Sequence, residues 1–237
     1  MALPAARSSS HGLTPVAEAH PAGSASDYRT LLTELAAWFA AGRAAAGGLV
    51  PCTGGCTACC HGPFDISVAD AELIDDAVRR MPPDERVRAA SRAASLLGRM
   101  RALAPDWEPP YAVDALGEDR FDHLTDALAD APCPLLDEHG RCGIYADRPL
   151  VCRIIGLGLR TPGGRTVDNA CPIQARFPGY SELPPAMFDL ESFETHEHRH
   201  LREAAARQLG SADRWEFETT IAAVVARHAE PGPTDSP

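Results

Sequence analysis

Eight cysteines fall in two groups: Cys52, Cys56, Cys59 and Cys60 form C-x3-C-x2-C-C, and Cys133, Cys142, Cys152 and Cys171 follow as C-x8-C-x9-C-x18-C. Four thiols within nine residues need a cation, because neighbouring thiolates repel one another and are costly to desolvate. A soft metal removes both penalties and deprotonates the thiols outright. The intervening Thr53-Gly54-Gly55 and Thr57-Ala58 are small enough for the chain to curl and bring several sulfurs to one place. Adjacent Cys59 and Cys60 add a constraint. Their side chains diverge, so one tetrahedral ion rarely takes both; they serve either two centres or one cluster of several metal atoms. Eight thiols suffice for two closed four-thiolate sites or for one polynuclear site with spare ligands, and spacing leaves both open. A lone thiol such as Cys171 reads by itself as a small buried hydrophobe. A disulfide relay would fit the close pair but needs an oxidising partner. Metal binding is the better account of the group, and the adjacent pair favours iron over zinc, whose structural sites are usually closed by four spaced ligands.

Other candidate residues carry weaker chemistry. His196-Glu197-His198-Arg199-His200 satisfies the H-E-x-x-H spacing of zinc peptidases. His198 and Arg199 between the ligand positions, and the lack of a third ligand downstream, make a polar, solvated helix face the better reading. His61, next to the first cysteine group, is expected beside the thiols or in solvent, not among the ligands. Arg88, Arg92 and Arg99 repeat near helical spacing and read as a solvated face. Arg148 and Arg153 flank Cys152, where a cation stabilises thiolates; the alternative is a structural anchor for Asp137 or Asp147. There is no Ser/His/Asp signature, nucleotide-binding glycine loop or nucleic-acid module.

The elements that must carry these residues read as mainly helical. Asp27 is placed to cap a helix with Leu31, Leu35, Trp38 and Phe39 on one face, ended by Gly47-Gly48. A second helix starts at 67–70 and carries Leu73, Ile74, Ala77 and Val78, and Pro82-Pro83 separates it from an Arg-rich third helix reaching Leu103. A short helix is expected at 121–128. The stretch 134–145 reads as a β-hairpin around Asp137-Glu138-His139-Gly140, followed by a short helix carrying Cys152. Gly163-Gly164 marks a further turn. From about Pro185 two helices follow, the second begun by Ser211 and burying Phe217, Ile221, Val224 and Val225. The expected fold is therefore mainly α with a small β-hairpin, its irregular cysteine-rich core lying between helices. Residues 1–25 and 230–237 are expected to be disordered tails around a single domain at 26–229, with the cysteine region at 50–175 and C-terminal helices at 185–229.

The chain has 237 residues and a net charge of −11, and all 22 basic residues are Arg. The absence of Lys excludes Schiff-base chemistry, a P-loop lysine and the protein-kinase lysine. The acidic balance argues against nucleic acid and anionic membranes as partners, leaving a small molecule or a protein. The opening residues have no signal-peptide core and no segment is apolar enough to span a membrane, which predicts a cytoplasmic protein with reduced thiols.

With these residues assembled, the pattern resembles the YkgJ-type cysteine-cluster family, named for zinc or iron chelation through C-x-x-C-x-x-C-C. All eight cysteines match by position, Gly140 to Cys152 (G-x-C-x-I-Y-x-x-R-P-x-x-C) being the most specific block. This chain has three residues between the first two cysteines where the motif has two. The resemblance covers about 50 to 175 and implies metal binding, as iron–sulfur or zinc, by Cys52, Cys56, Cys59, Cys60, Cys133, Cys142, Cys152 and Cys171; the adjacent pair makes an iron–sulfur cluster or iron the favoured cofactor and zinc the alternative. Three functions follow from it: a redox or metal-assisted iron protein, a zinc-stapled structural or interaction module, or an enzyme akin to the family's relative, a flagellin lysine methylase. The resemblance assigns no reaction.

Overall fold

The computed structural model describes residues 25–52 and 55–229. Helix α1 (Ala25–Ala45) buries Tyr28, Leu31, Leu32 and Leu35 on one face. Asp27 lies inside its first turn, not outside it as a cap, where its charge complements the helix dipole. The helix gives way to Gly47 and Gly48, both at positive φ.

Strand β1 (Asp65–Ser67) runs directly into α2 (Val68–Arg79). The Ser67 hydroxyl accepts the Asp70 amide at 3.1 Å, a cap that contributes about 1 kcal/mol. Helix α3 (Pro83–Leu103) begins directly after Pro82, as the Pro pair predicts. The short helices α4 (Val113–Leu116), α5 (Glu118–Ala127) and α6 (Val151–Ile154) follow. Strands β2 (Leu159–Arg160) and β3 (Thr166–Val167), helix α7 (Pro178–Ser181) and strand β4 (Ala186–Met187) lead to the long α8 (Leu190–Leu209). Strand β5 (Glu218–Thr220) and α9 (Ile221–Ala226) complete the described chain.

Four apolar clusters hold these elements. Ile74, Val78, Ala89, Ala93, Ile221 and Val224 join α2, α3 and α9, and Leu135 and Ile144 of the cysteine region pack on them. The small alanines of α3 let α9 approach closely along it. A second cluster joins α1, α2 and α8 through Leu32, Leu73 and Ala204, and a third joins α3, α5 and α9 around Met100 and Trp107. A fourth, smaller cluster of Val50, Leu157 and Tyr180 has Cys52 and Cys171 packed against it.

The fold is mainly helical with few strands, as the sequence predicts. The small hairpin is β2–β3, antiparallel with Leu159 opposite Val167, at the Gly163-Gly164 turn; β4 adds parallel to β2. In the 134–145 stretch the pairing is a single bridge, Leu136 opposite Cys142. The Cys133 amide, which the outer rung would need, donates instead to the Cys60 carbonyl at 2.9 Å, and the chain then winds into a 3-10 turn at Tyr145–Asp147. The C-terminal segment differs from expectation more. Ser211 caps only a short 3-10 turn, and β5 interrupts the expected helix by pairing with β1, Ile66 opposite Thr219. β-branched Thr219 and Thr220 suit that strand, and the Thr220 hydroxyl then caps α9. Phe217, Ile221, Val224 and Val225 are nonetheless buried. The expected tails lie, Ala25 apart, outside the described residues. Among the described residues no helix is long and apolar enough to cross a membrane.

Candidate metal centre

Four segments bring the cysteines together. The first loop carries Cys52, Cys56, Cys59 and Cys60 and makes a tight turn in which the Cys60 amide donates to the Thr57 carbonyl at 2.9 Å. The second loop is laced to it by backbone bonds: Gly62 N–H to the Ala131 carbonyl at 2.7 Å and Cys133 N–H to the Cys60 carbonyl at 2.9 Å. Asp137 shapes the turn between Cys133 and Cys142, its carboxylate accepting the His139 and Arg141 amides at 2.9 and 2.8 Å. Gly140, at the tip, has φ +71, and a Cβ there would come within 3.0 Å of Thr57 in the first loop. The Arg92 Nε donates to the Pro134 carbonyl at 3.0 Å and ties this loop to α3.

Cys152 lies on α6, whose start is fixed from the helical frame. Asp70, buried in α2, accepts the Leu150 amide at 3.1 Å and the Tyr28 hydroxyl at 3.2 Å. Arg153 is 8 % exposed and donates to the carbonyls of Arg148 and Ala146 at 2.8 and 2.7 Å, holding the chain ahead of α6 in a hook. Cys171 arrives from the far side. Its amide donates to the Asn169 side-chain oxygen at 2.8 Å, and the buried Tyr180 hydroxyl, beside it, donates to the Gly156 carbonyl at 2.7 Å.

Seven of the cysteines, all but Cys171, line one cavity of about 100 Å³. Its walls are otherwise apolar, with Phe39, Phe64, Ile155 and Ile221, except for Arg43, Arg148 and Arg153. Cys171 stands next to Cys52, behind the wall, where each packs on the Val50–Leu157–Tyr180 cluster. Gly156 leaves room for this arrangement: a Cβ there would lie 2.9 Å from the Cys52 sulfur and 3.2 Å from the Phe39 ring.

Without a cation, burial and neighbouring thiols favour the protonated forms of Cys52, Cys59, Cys133, Cys142 and Cys152. Burial raises Cys52, with Cys171, Cys56 and Cys59 adding to it. The hydrogen bond with Cys60 raises Cys59 furthest, followed by burial and the Cys60 charge. Burial pushes Cys133 up to about 12 against the help of the Leu135 amide, and raises Cys142 and Cys152 as well. Cys152 is raised further by Cys133, Cys142 and Cys59. The Cys59 charge thus adds to the shifts of Cys52 on one side and of Cys133 and Cys152 on the other. A metal cation reverses every one of these shifts. An all-sulfur donor set, a glycine where a Cβ would crowd Cys52, and a buried Arg148 Nε without a partner among the described residues all suit a soft, sulfur-ligated metal. Among the described residues, no three His, Cys, Asp or Glu side chains stand together in a way that could hold one ion.

A family model, CxxCxxCC, described as "Putative zinc- or iron-chelating domain", matches residues 51–172, just over half of the chain and all eight cysteines. The chain belongs to the CxxCxxCC family. No curated protein and no solved structure matches it.

The other residues singled out in this CxxCxxCC chain fall as follows. His61 is exposed, bonded through Nδ1 to the Thr57 carbonyl at 3.1 Å, and is no part of the cavity wall. Arg88, Arg92 and Arg99 lie on the exposed side of α3. The His196–His200 segment is not uniformly solvated: His196 is exposed, but His200 is buried with its ring centre 5.8 Å from that of Tyr28. Residues four apart share a side of a helix, but α1 covers only the His200 end, so the two imidazoles do not form a ligand pair. Neither Arg148 nor Arg153 anchors Asp137 or Asp147; Asp137 pairs with Arg141, and Asp147 with Arg29 and Arg80. Pattern reading missed Phe39 and Arg43, which reach the cavity from the end of α1, and Asp70, Gly156 and Tyr180. Asp70 entered the sequence reading only as part of the helix start at 67–70 and Phe39 only as part of the apolar face of the first helix, and the others carry no local signal.

Proposed function

We propose that this CxxCxxCC protein holds a polynuclear iron–sulfur centre through Cys52, Cys56, Cys59, Cys60, Cys133, Cys142, Cys152 and Cys171, and that the centre serves a redox or metal-assisted role. The observation that carries this is the cavity: seven thiols spaced around about 100 Å³. One tetrahedral ion needs its four sulfurs within about 2.3 Å of one point, whereas this space has room for several atoms. Adjacent Cys59 and Cys60, both on the cavity wall, support the same reading. When bound, such a centre would supply one-electron chemistry or a Lewis-acidic iron. The chain's own part is to enclose the sulfurs in an apolar wall, limit water, and place cationic groups beside an anionic site.

The test is metal and acid-labile sulfide analysis of protein purified without oxygen. Iron with sulfide, and a broad visible absorption that bleaches on reduction, is the expected result. A colourless preparation with stoichiometric zinc and no sulfide would overturn the iron reading in favour of a zinc-stapled module.

A further inference from the structure

Arg148 precedes Pro149 between the Cys142 turn and α6, and it lines the thiol cavity. Its guanidinium carbon lies 3.9 Å from the centre of the Tyr145 ring, a cation–π contact. Its carbonyl is held by Arg153 at 2.8 Å, so the backbone is pinned as well. Yet its Nε is buried and has no hydrogen-bond partner among the described residues. The two carboxylates that the sequence offers it pair elsewhere: Asp147 with Arg29 and Arg80, and Asp137 with Arg141. A buried N–H on a permanent cation is costly to leave unmatched. The Arg148 charge also lies close enough to favour the thiolates of Cys59 and Cys142, one from each cysteine loop.

We infer that the Arg148 Nε–H donates a hydrogen bond to a sulfur of the metal centre, and that the guanidinium charge thereby favours the reduced state of that centre. This rests on the proposed function. The acceptor belongs to the bound centre and not to a small anion arriving from solvent, because the Nε itself is shut off from water. On reduction the centre gains one electron and one negative charge; no bond breaks and Arg148 keeps its proton, since guanidinium does not titrate in this range. Arg148→Gln removes the charge and the charged donor together, while Arg148→Lys keeps the charge on a differently placed donor.

The experiment is a dithionite redox titration of the anaerobically purified full chain, with metal and sulfide content measured alongside. Arg148→Gln and Arg148→Lys are compared with the wild type and with Arg120→Gln, an exposed arginine of α5 paired with Asp106 outside the cavity. The expected result for Arg148→Gln is retained iron and a reduced-to-oxidised ratio about tenfold lower at a given potential, which for one electron is a midpoint about 59 mV more negative. Arg148→Lys should shift less and Arg120→Gln not at all. An unchanged midpoint in Arg148→Gln overturns the inference. If the Gln variant fails to fold or loses its iron, the Lys variant decides: a lowered midpoint supports the bond, an unchanged one overturns it. Should the wild type hold zinc without sulfide, the iron reading fails separately. The bond to sulfur is then read from competition with a chelator, where about tenfold weaker zinc binding in Arg148→Gln supports it and equal binding overturns it. A wild type that binds neither metal overturns both.

Discussion

Cys60 discriminates between the kinds of centre most sharply. It shares the cavity wall with Cys59, and because neighbouring residues rarely both ligate one tetrahedral ion, a single closed ion using Cys59 would leave Cys60 spare. We expect Cys60→Ser to remove part or all of the metal, because serine is a poor, hard substitute for thiolate; full occupancy by elemental analysis would limit the site to one ion fed from elsewhere. Cys142→Ala and Cys152→Ala should likewise cost metal before they cost helical content, as both thiols face the cavity and the apolar clusters persist without them. Gly156 makes a different kind of prediction. It combines φ +118 with contacts that a Cβ would make at 2.9 Å to Cys52 and 3.2 Å to Phe39. Gly156→Ala should destabilise the protein by about 1–3 kcal/mol and lower metal content, with thermal unfolding and metal analysis as the measurements. Wild-type values for both would mean that the Cys52 side of the cavity relaxes freely.

Between elements, the contact of α8 with α2 holds an acidic cluster that should make stability depend on pH. Burial, then Asp70 and Glu194, raises Glu197 from its ordinary 4.5 to about 7. Burial also raises Asp70, from 3.8 to about 6, against its hydrogen bonds. Both folded-state values lie above the unfolded ones, so the folded protein binds more protons through this window. The stability these groups contribute is present in acid, where they are neutral, and is lost as pH rises through about 6 and 7. Glu197→Gln, which keeps the shape without the charge, should flatten this decline and raise the melting temperature at pH 8. An equally steep fall in the variant would show that Glu197 stays ionised at low pH. Asp70 is less free to change, since the same carboxylate holds the Leu150 amide at the start of α6.

For the whole molecule, the apolar clusters that join α1, α2, α3, α8 and α9 are built with little help from the cysteine loops. The loops have few buried apolar residues of their own, and their mutual hydrogen bonds are mostly backbone bonds between short irregular segments. Ligation must therefore supply much of their order. Chelating the metal should open 50–64 and 132–172 to protease while the helices on either side resist, with fragment masses from limited proteolysis as the readout. Equal resistance with and without metal would mean that the loops order themselves. The β1–β5 pairing sets the boundary of this soft region, because the Ile221 amide donates to the Phe64 carbonyl at 3.1 Å and clamps the end of the first loop to the frame.

What the sequence determined by itself is the chemistry and the local frame. Eight cysteines at motif spacing carry the donor type, and periodic apolar residues with Ser67, Pro82-Pro83 and Gly47-Gly48 mark where α1, α2 and α3 begin or end, because capping and helical periodicity act within a few residues. Only the tertiary structure decided which thiols share a wall. It put Cys171 behind Cys52, brought Phe39 and Arg43 from α1 to the cavity, and turned the residues after Ser211 into a strand. Each of these depends on a partner far away in the chain: Gly156 against Cys52, Asp70 under Leu150, and Ile66 opposite Thr219. No spacing rule registers such pairs, because the energy that selects them is that of packing and hydrogen bonding across the closed fold, not of the local chain.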